Sequence, residues 1–296
     1  MANRMSILIQ SILNGICSGS IYSIIALSLS LLFGVMKIIN FAHGSFLMIA
    51  MFLSLWTCRY LGLHPLFALL IVPPIMFAVG YLTQRFLIKS IYEKETAREP
   101  IGVLIFTTGL WIFLDNLFLF FAGPDAQVIK HDYVNQTLIW GNLIFNYTQI
   151  LGLFFSVLVG FILILFLKKA KVGRAIRATG QDREAASVIG VNSYRIYDIS
   201  FGIGMAVLGA AGALLVPLYS VYPSVGDVFG LRSFVIVVLG GMGSIWGAFL
   251  GGLIIGLIES VGAQFLPATF TEAVIFLIFL IILYFKPSGL FGLESE

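Results

Sequence analysis

Charged side chains are scarce in this sequence. Asp, Glu, Lys and Arg make up 10% of its 296 residues, while apolar residues make up 59% and the mean hydropathy is +1.03. Soluble globular domains carry about 25% charged residues, so this composition excludes that class. The sequence predicts an all-α polytopic membrane protein with a single transmembrane domain over residues 1–296.

Motifs of enzymes and of nucleic-acid-binding proteins are also absent. The sequence has neither a GxxxxGK phosphate loop nor an HExxH zinc motif, so we do not expect the chain to hydrolyse ATP. Its two cysteines, Cys17 and Cys58, lie in apolar segments and are interpreted as small buried side chains. We therefore expect no catalytic residue, no metal, no cofactor and no nucleic-acid partner.

Basic residues are concentrated in two polar segments, residues 84–100 and 168–196. The positive-inside rule predicts that both segments are cytoplasmic loops. Residues 123–147 are polar but contain a single Lys or Arg residue, Lys130, which predicts the opposite side of the membrane. Lys286 follows the last apolar run, so the C-terminus is expected in the cytoplasm.

About eight or nine transmembrane helices are predicted, and the count depends on two breaks, at residues 33–46 and near Gly243. Irregular polar backbone survives at membrane depth only where protein or a water-filled cavity covers it. The first break is therefore a candidate wall of a translocation pathway, with Asn40 and His43 as candidate lining residues. The alternative for His43 is a hydrogen bond to unwound backbone.

Small residues recur at four-residue spacing, which predicts close helix packing. The ridges are Gly15, Gly19 and Ser23 in the first helix, and Gly243, Gly247 and Gly251, then Gly252, Gly256 and Ser260, in a late stretch. We expect the first helix to lie in the interior. The late stretch is expected to pack on two sides or to break into half-helices.

Two acidic residues, Asp115 and Glu259, fall within predicted spans. Because a carboxylate in lipid is costly, each is a candidate pathway residue that could meet a cationic or zwitterionic solute. The alternative is structural: either could cap a neighbouring helix or pair with Arg232. Asp227 is expected in a solvated loop.

The second polar segment contains a predicted short helix over residues 182–190. Alanine and glutamate favour a helix, and Gly190 can end it in a left-handed turn. A compact helix with small side chains, held out of the membrane, is typical of a docking element for a partner groove.

These residues carry a resemblance to a known family. Glu184, Ala185 and Ala186, followed after three residues by Gly190, resemble the EAA motif of ABC importers. Together with residues 33–44, 238–244 and 286–292, they make the chain similar to branched-chain amino acid ABC permeases. The similarity is to the shorter of the two paired permease subunits.

The resemblance implies a bacterial inner-membrane importer in which this chain contains the coupling helix. It also implies a second homologous permease, two ATP-binding subunits and a periplasmic solute-binding protein as partners. The solute would be a branched-chain or related amino acid, with urea or a short amide as the alternative within the family. An alternative from another class is a self-sufficient secondary transporter or channel.

Overall fold

Helices form almost all of the regular structure in the computed structural model, which describes residues 2–92, 101–129, 136–140 and 143–292. The helices are α1 (Ala2–Met36), α2 (His43–Leu61), α3 (Ala68–Leu82), α4 (Lys89–Tyr92), α5 (Ile101–Ala122), α6 (Tyr147–Lys169), α7 (Lys171–Gln181), α8 (Arg183–Val188), α9 (Ser193–Leu215), α10 (Val225–Gly240), α11 (Ile245–Gly262) and α12 (Ala268–Phe285). A 3-10 turn at Pro65–Phe67 precedes α3, and a π-helical segment at Thr83–Ile88 joins α3 to α4. One antiparallel hairpin, β1 (Thr137–Trp140) and β2 (Leu143–Asn146), precedes α6.

Within the described residues, seven helices are long and apolar enough to cross a membrane. The predicted all-α polytopic class is confirmed, although the predicted count was about eight or nine. Two further helices in the second half of the chain are shorter: α10 has 16 residues, and the apolar part of α12 is Phe270–Phe285. A 16-residue helix is about 24 Å long, less than the ~30 Å of a bilayer core.

The interior position predicted for the first helix is confirmed, because 83% of its apolar window is buried. Gly15 and Gly19 lie against the backbone of Gly256 and Gly252, so α1 and α11 run antiparallel in direct backbone contact. Ser23 Oγ donates a 2.7 Å hydrogen bond to the Phe249 carbonyl within this contact. The ridge of Gly15, Gly19 and Ser23 and the ridge of Gly252, Gly256 and Ser260 are therefore packing surfaces between these two helices.

The second break is a tight turn between α10 and α11. Gly241 and Gly243 adopt φ values of +97° and +85°, a region that favours glycine. Gly247 then packs on Gly240 of α10, while Gly252 packs on α1. The prediction that this stretch packs on two sides is confirmed, and its break is a helical hairpin.

The predicted loop over residues 84–100 begins too early. Gln84 is 1% exposed inside the π-helical segment, and the helix continues to Tyr92. Arg85 keeps its charge at the surface and donates a 3.0 Å hydrogen bond from Nη1 to the Tyr81 hydroxyl. A long basic side chain can thus extend from a membrane helix without ending it. Residues 93–100 lie outside the described residues.

The other polar segment, residues 168–196, contains α7 and α8 as well as turns. The end of the bundle that holds α8 is called the α8 end. Gly180 at the end of α7 lies against Gly34 of α1, and Gly34 lies against Gly243. The opposite end holds the β-hairpin, where Gln10 Nε2 donates a 2.6 Å bond to the Ile144 carbonyl.

Candidate functional site

Both ends of α8 are capped. Asp182 Oδ1 accepts hydrogen bonds from the backbone N–H groups of Glu184 and Ala185, at 2.8 and 3.0 Å. At the other end, the N–H groups of Val191 and Gly190 donate to the carbonyls of Ala186 and Ser187, both at 3.0 Å. Gly190 has φ +87°, so the helix ends in a left-handed glycine cap. The caps give this six-residue helix a defined shape.

Two large apolar side chains are exposed at the C-terminal end of α8. Val188 and Ile189 are 85% and 75% exposed, whereas Ala186 is buried against the rest of the chain. Glu184 and Ala185 are exposed beside them. Large apolar side chains clustered on a short, well-defined helix are typical of a protein-binding surface.

Arg183, the first residue of α8, lies among three tyrosine rings. Its guanidinium carbon is 4.8 Å from the ring centre of Tyr194, 5.3 Å from Tyr92 and 5.7 Å from Tyr197. These distances are within the range of cation–π attraction. Tyr194 and Tyr197 belong to α9 and Tyr92 to α4, so one side chain links α8 to two membrane helices. We call Arg183 with these rings the tyrosine cage.

The sequence interpretation missed the tyrosine cage. A partial signal was present, because Tyr194 and Tyr197 are three residues apart and share one helix face. Tyr92 comes from a separate helix, and no spacing rule connects it to Arg183. The cage is attached to a rigid unit, since α3 and α9 pack closely, with Gly80 against Met205 and Gly202 against Phe77.

For the importer that the sequence resemblance implies, replacing Arg183 by glutamine should weaken the attachment of α8 and lower ATP-driven uptake about tenfold. Cation–π contacts contribute roughly 0.5–2 kcal/mol each, and glutamine has no charge to place over the rings. Arg183→Lys should keep part of the uptake, because an ammonium still interacts with the rings. The matched control is the exposed Arg195, whose replacement by glutamine removes the same charge. Equal uptake by the Arg183→Gln and Arg195→Gln variants would contradict this role.

The candidate pathway residues Asn40 and His43 are both buried, at 5% and 2% exposure. Asn40 Oδ1 accepts a 3.1 Å bond from the N–H of Ala42 just ahead of α2. His43 Nε2 lies 3.3 Å from the carbonyl of Ile25 in α1. The backbone partner of His43 is therefore helical rather than unwound, and both side chains join parts of this chain.

Asp115 belongs to a polar cluster between α5, α2 and α10. Its Oδ1 accepts a 2.6 Å bond from Ser45, and its Oδ2 accepts a 2.8 Å bond from the indole N–H of Trp111. The same indole N–H is 2.9 Å from Oδ1 of Asp227. The expectation that Asp227 lies in a solvated loop is wrong, because it occupies the first turn of α10, facing this indole.

Glu259 pairs with Arg232, which is the structural alternative that the sequence analysis gave for this residue. Glu259 Oε1 is 2.8 Å from Arg232 Nη1, and Glu272 Oε1 is 3.0 Å from Nη2. Arg232 Nη1 also donates to the Tyr22 hydroxyl at 2.9 Å. The buried Oε2 of Glu259 has no hydrogen-bond partner among the described residues. Four helices are thereby joined through one guanidinium.

Comparison with known proteins gives a match over nearly the whole chain. Residues 11–283 match the family described as branched-chain amino acid transport system / permease component. The permease protein BraD of the high-affinity branched-chain amino acid transport system of Pseudomonas aeruginosa is 31% identical over 299 residues, covering 96% of this chain and 95% of BraD.

Two further relatives are LivH permease proteins of high-affinity branched-chain amino acid transport systems. LivH of Salmonella typhimurium is 29% identical over 306 residues, and LivH of Escherichia coli K12 is 29% identical over 303 residues. Each alignment covers 99% of this chain and 98% of the relative. No solved structure matches the chain.

Proposed function

The chain belongs to the family of permease components of the branched-chain amino acid transport system, and on that premise we propose that it is a membrane subunit of an ATP-driven importer. It would carry branched-chain or related amino acids across the bacterial inner membrane, with its C-terminus in the cytoplasm. The observation that carries the proposal is the match over residues 11–283, which includes both the membrane helices and α8.

In the proposed complex, this chain pairs with a second homologous permease subunit. Two ATP-binding subunits supply the nucleotide chemistry, and a periplasmic solute-binding protein delivers the solute. The α8 helix, with Glu184, Ala185, Ala186 and the Gly190 turn, is the coupling helix that sits in a groove of an ATP-binding subunit. The exposed Val188 and Ile189 side chains supply apolar area for that contact.

Movement of the ATP-binding subunits would pass from α8 into the membrane helices by two routes. One is the tyrosine cage, which leads into α4 and α9. The other is the end of α7, where Gly180 contacts Gly34 of α1 and Gly34 contacts Gly243. Because these are direct packing contacts, a displacement of α8 biases the positions of the helices beyond them.

The proposal is tested by uptake into proteoliposomes that contain the two permease subunits, the two ATP-binding subunits and the binding protein. Uptake of labelled leucine should require ATP and the binding protein, and unlabelled isoleucine and valine should compete with it. Uptake by the permease subunits alone would contradict the proposal and favour a secondary transporter or channel. Competition by urea, with none by the amino acids, would contradict the amino-acid assignment.

The pathway roles of Asp115 and Glu259 are tested by Asp115→Asn and Glu259→Gln. An amide keeps the size of the side chain and removes the charge that a zwitterion would meet. Leucine uptake is expected to fall about tenfold and the amount of assembled complex to fall less, because an amide oxygen still accepts a hydrogen bond and Glu272 still offsets the charge of Arg232. Measuring both quantities on the same membranes separates the roles, because equal losses would show that the carboxylates only hold helices together.

A further inference from the structure

The segment 37–42, between α1 and α2, runs into the bundle without helical structure over residues 37–40 and then turns into α2 at Phe41 and Ala42. The chain turns out of α1 at Lys37, the one non-glycine residue with positive φ among those the structure describes, at +54°. At the α8 end, Gly34 lies against Gly243, next to the end of α10. Only ten residues later, Gly44 lies against Gly226, at the other end of that helix. We call residues 37–42 the re-entrant strand.

Two contacts give the depth of the re-entrant strand. The N–H of Phe41 is 3.4 Å from Oγ1 of Thr107, which is six residues, or about 9 Å, into α5. His43 contacts Ile25, which is eleven residues, or about 17 Å, before the end of α1 at Met36. Non-helical backbone therefore lies well inside the span of the membrane helices.

Burial alternates along the re-entrant strand, so one of its faces is buried and the other is open. Ile38, Asn40 and Ala42 are buried against this chain, at 6%, 5% and 0% exposure. Lys37 and Phe41 are exposed and Ile39 is half-buried, so these three side chains face away from the bundle. Phe41 is 44% exposed.

The open face cannot be covered by lipid. Among the described residues, no hydrogen-bond acceptor meets the N–H groups of Ile38, Ile39 or Asn40. An unsatisfied backbone group in the hydrocarbon region costs several kcal/mol, so non-helical backbone at this depth lines a water-filled cavity or is covered by protein. In a transporter, the water-filled cavity inside the membrane is the solute pathway.

We propose that Ile39 and Phe41 form an apolar wall of the solute pathway and contact the aliphatic side chain of the solute. The choice of an aliphatic solute rests on the proposed function. The exposure of the open face to water does not depend on that function. Asn40 and His43 hold the strand in place from its buried side. Specificity on this wall would then depend on shape and apolar contact rather than on charge.

The test is cysteine labelling of the complete complex in membrane vesicles. In a chain with Cys17 and Cys58 replaced by alanine, cysteine is placed at position 38, 39 or 41, and a membrane-impermeant methanethiosulfonate reagent is added. The reagent reacts with the thiolate, which forms in water and not in an apolar interior. Ile38→Cys is a matched control, since it changes the neighbouring isoleucine on the buried face.

We expect Ile39→Cys and Phe41→Cys to react at least tenfold faster than Ile38→Cys, at rates that change between the ATP-free and ATP-bound complex. Leucine should slow both reactions about tenfold. Rates no faster than that of Ile38→Cys in both nucleotide states would overturn the proposal, and so would rapid labelling that no solute affects. Protection by urea but not by leucine would overturn the aliphatic contact.

Failure of the proposed function would be visible separately in the unlabelled wild-type complex. If uptake there does not depend on ATP, the importer assignment fails whatever the labelling shows. If uptake depends on ATP and leucine competes, but positions 39 and 41 stay unreactive, only the pathway wall fails.

Discussion

Replacing Val188 and Ile189 together by aspartate should abolish ATP-driven uptake and leave the chain inserted in the membrane. Both side chains are largely exposed at the end of α8, and the proposed complex buries them in the ATP-binding subunit. Burial of one such side chain contributes roughly 1.5–3 kcal/mol, and a carboxylate in its place adds a desolvation cost. Affinity for the ATP-binding subunit should fall more than about 100-fold.

The measurements are retention of the ATP-binding subunits on the tagged chain and uptake of labelled leucine. A matched control is Asn192→Asp, which adds a negative charge two residues beyond Gly190. Asn192 caps α9 by accepting a 3.1 Å bond from the N–H of Arg195, and aspartate caps a helix equally well. This control should behave as wild type. Retained subunits and normal uptake in the double aspartate variant would show that α8 is not the docking element.

Replacing Arg232 by leucine should destabilise the membrane domain itself. The guanidinium offsets the charge of Glu259, whose side chain is 27% exposed and whose Oε2 lacks a partner among the described residues. Removing one partner of a buried ion pair lowers the free energy of unfolding by roughly 3–5 kcal/mol. Because this pair is partly exposed, we expect a loss near the lower end of that range. The expected result is a large loss of folded protein in detergent, measured by size-exclusion chromatography and thermal unfolding.

The double variant Arg232→Leu with Glu259→Leu tests whether the unpaired carboxylate of Glu259 causes this loss of stability. Removing both charges leaves no unpaired carboxylate, and apolar side chains of similar size fill the space, so much of the stability should return. Glu272→Gln should be nearly neutral, because Glu272 is 55% exposed and exposed pairs contribute about 0–1 kcal/mol. A double variant as unstable as Arg232→Leu alone would contradict this explanation.

Residue spacing predicted the packing faces of the helices but not their partners. The ridge of Gly15 and Gly19 shows which face of α1 another helix can approach closely, because residues four apart lie on one face. That Gly256 and Gly252 are the partners depends on the fold of the whole chain. The short helix with its glycine cap was predictable for a similar reason, since caps are local.

Features that depend on three or more segments could not be predicted. The tyrosine cage joins α4, α8 and α9, and the indole of Trp111 lies between Asp115 and Asp227 from separate helices. The sequence marked residues 33–46 as a break, but it could not show which face of the strand is buried. Composition also placed the start of the loop over residues 84–100 too early, because Arg85 reaches the surface from inside the helix.

The most direct test of the account is photo-crosslinking from α8 in the assembled complex. A photoreactive amino acid at position 188 should form a covalent product with the ATP-binding subunit, and one at position 195, on the first turn of α9, should form far less. This product is expected in intact membranes before any detergent is added. Efficient incorporation with no product from position 188, or equal products from both positions, would contradict it.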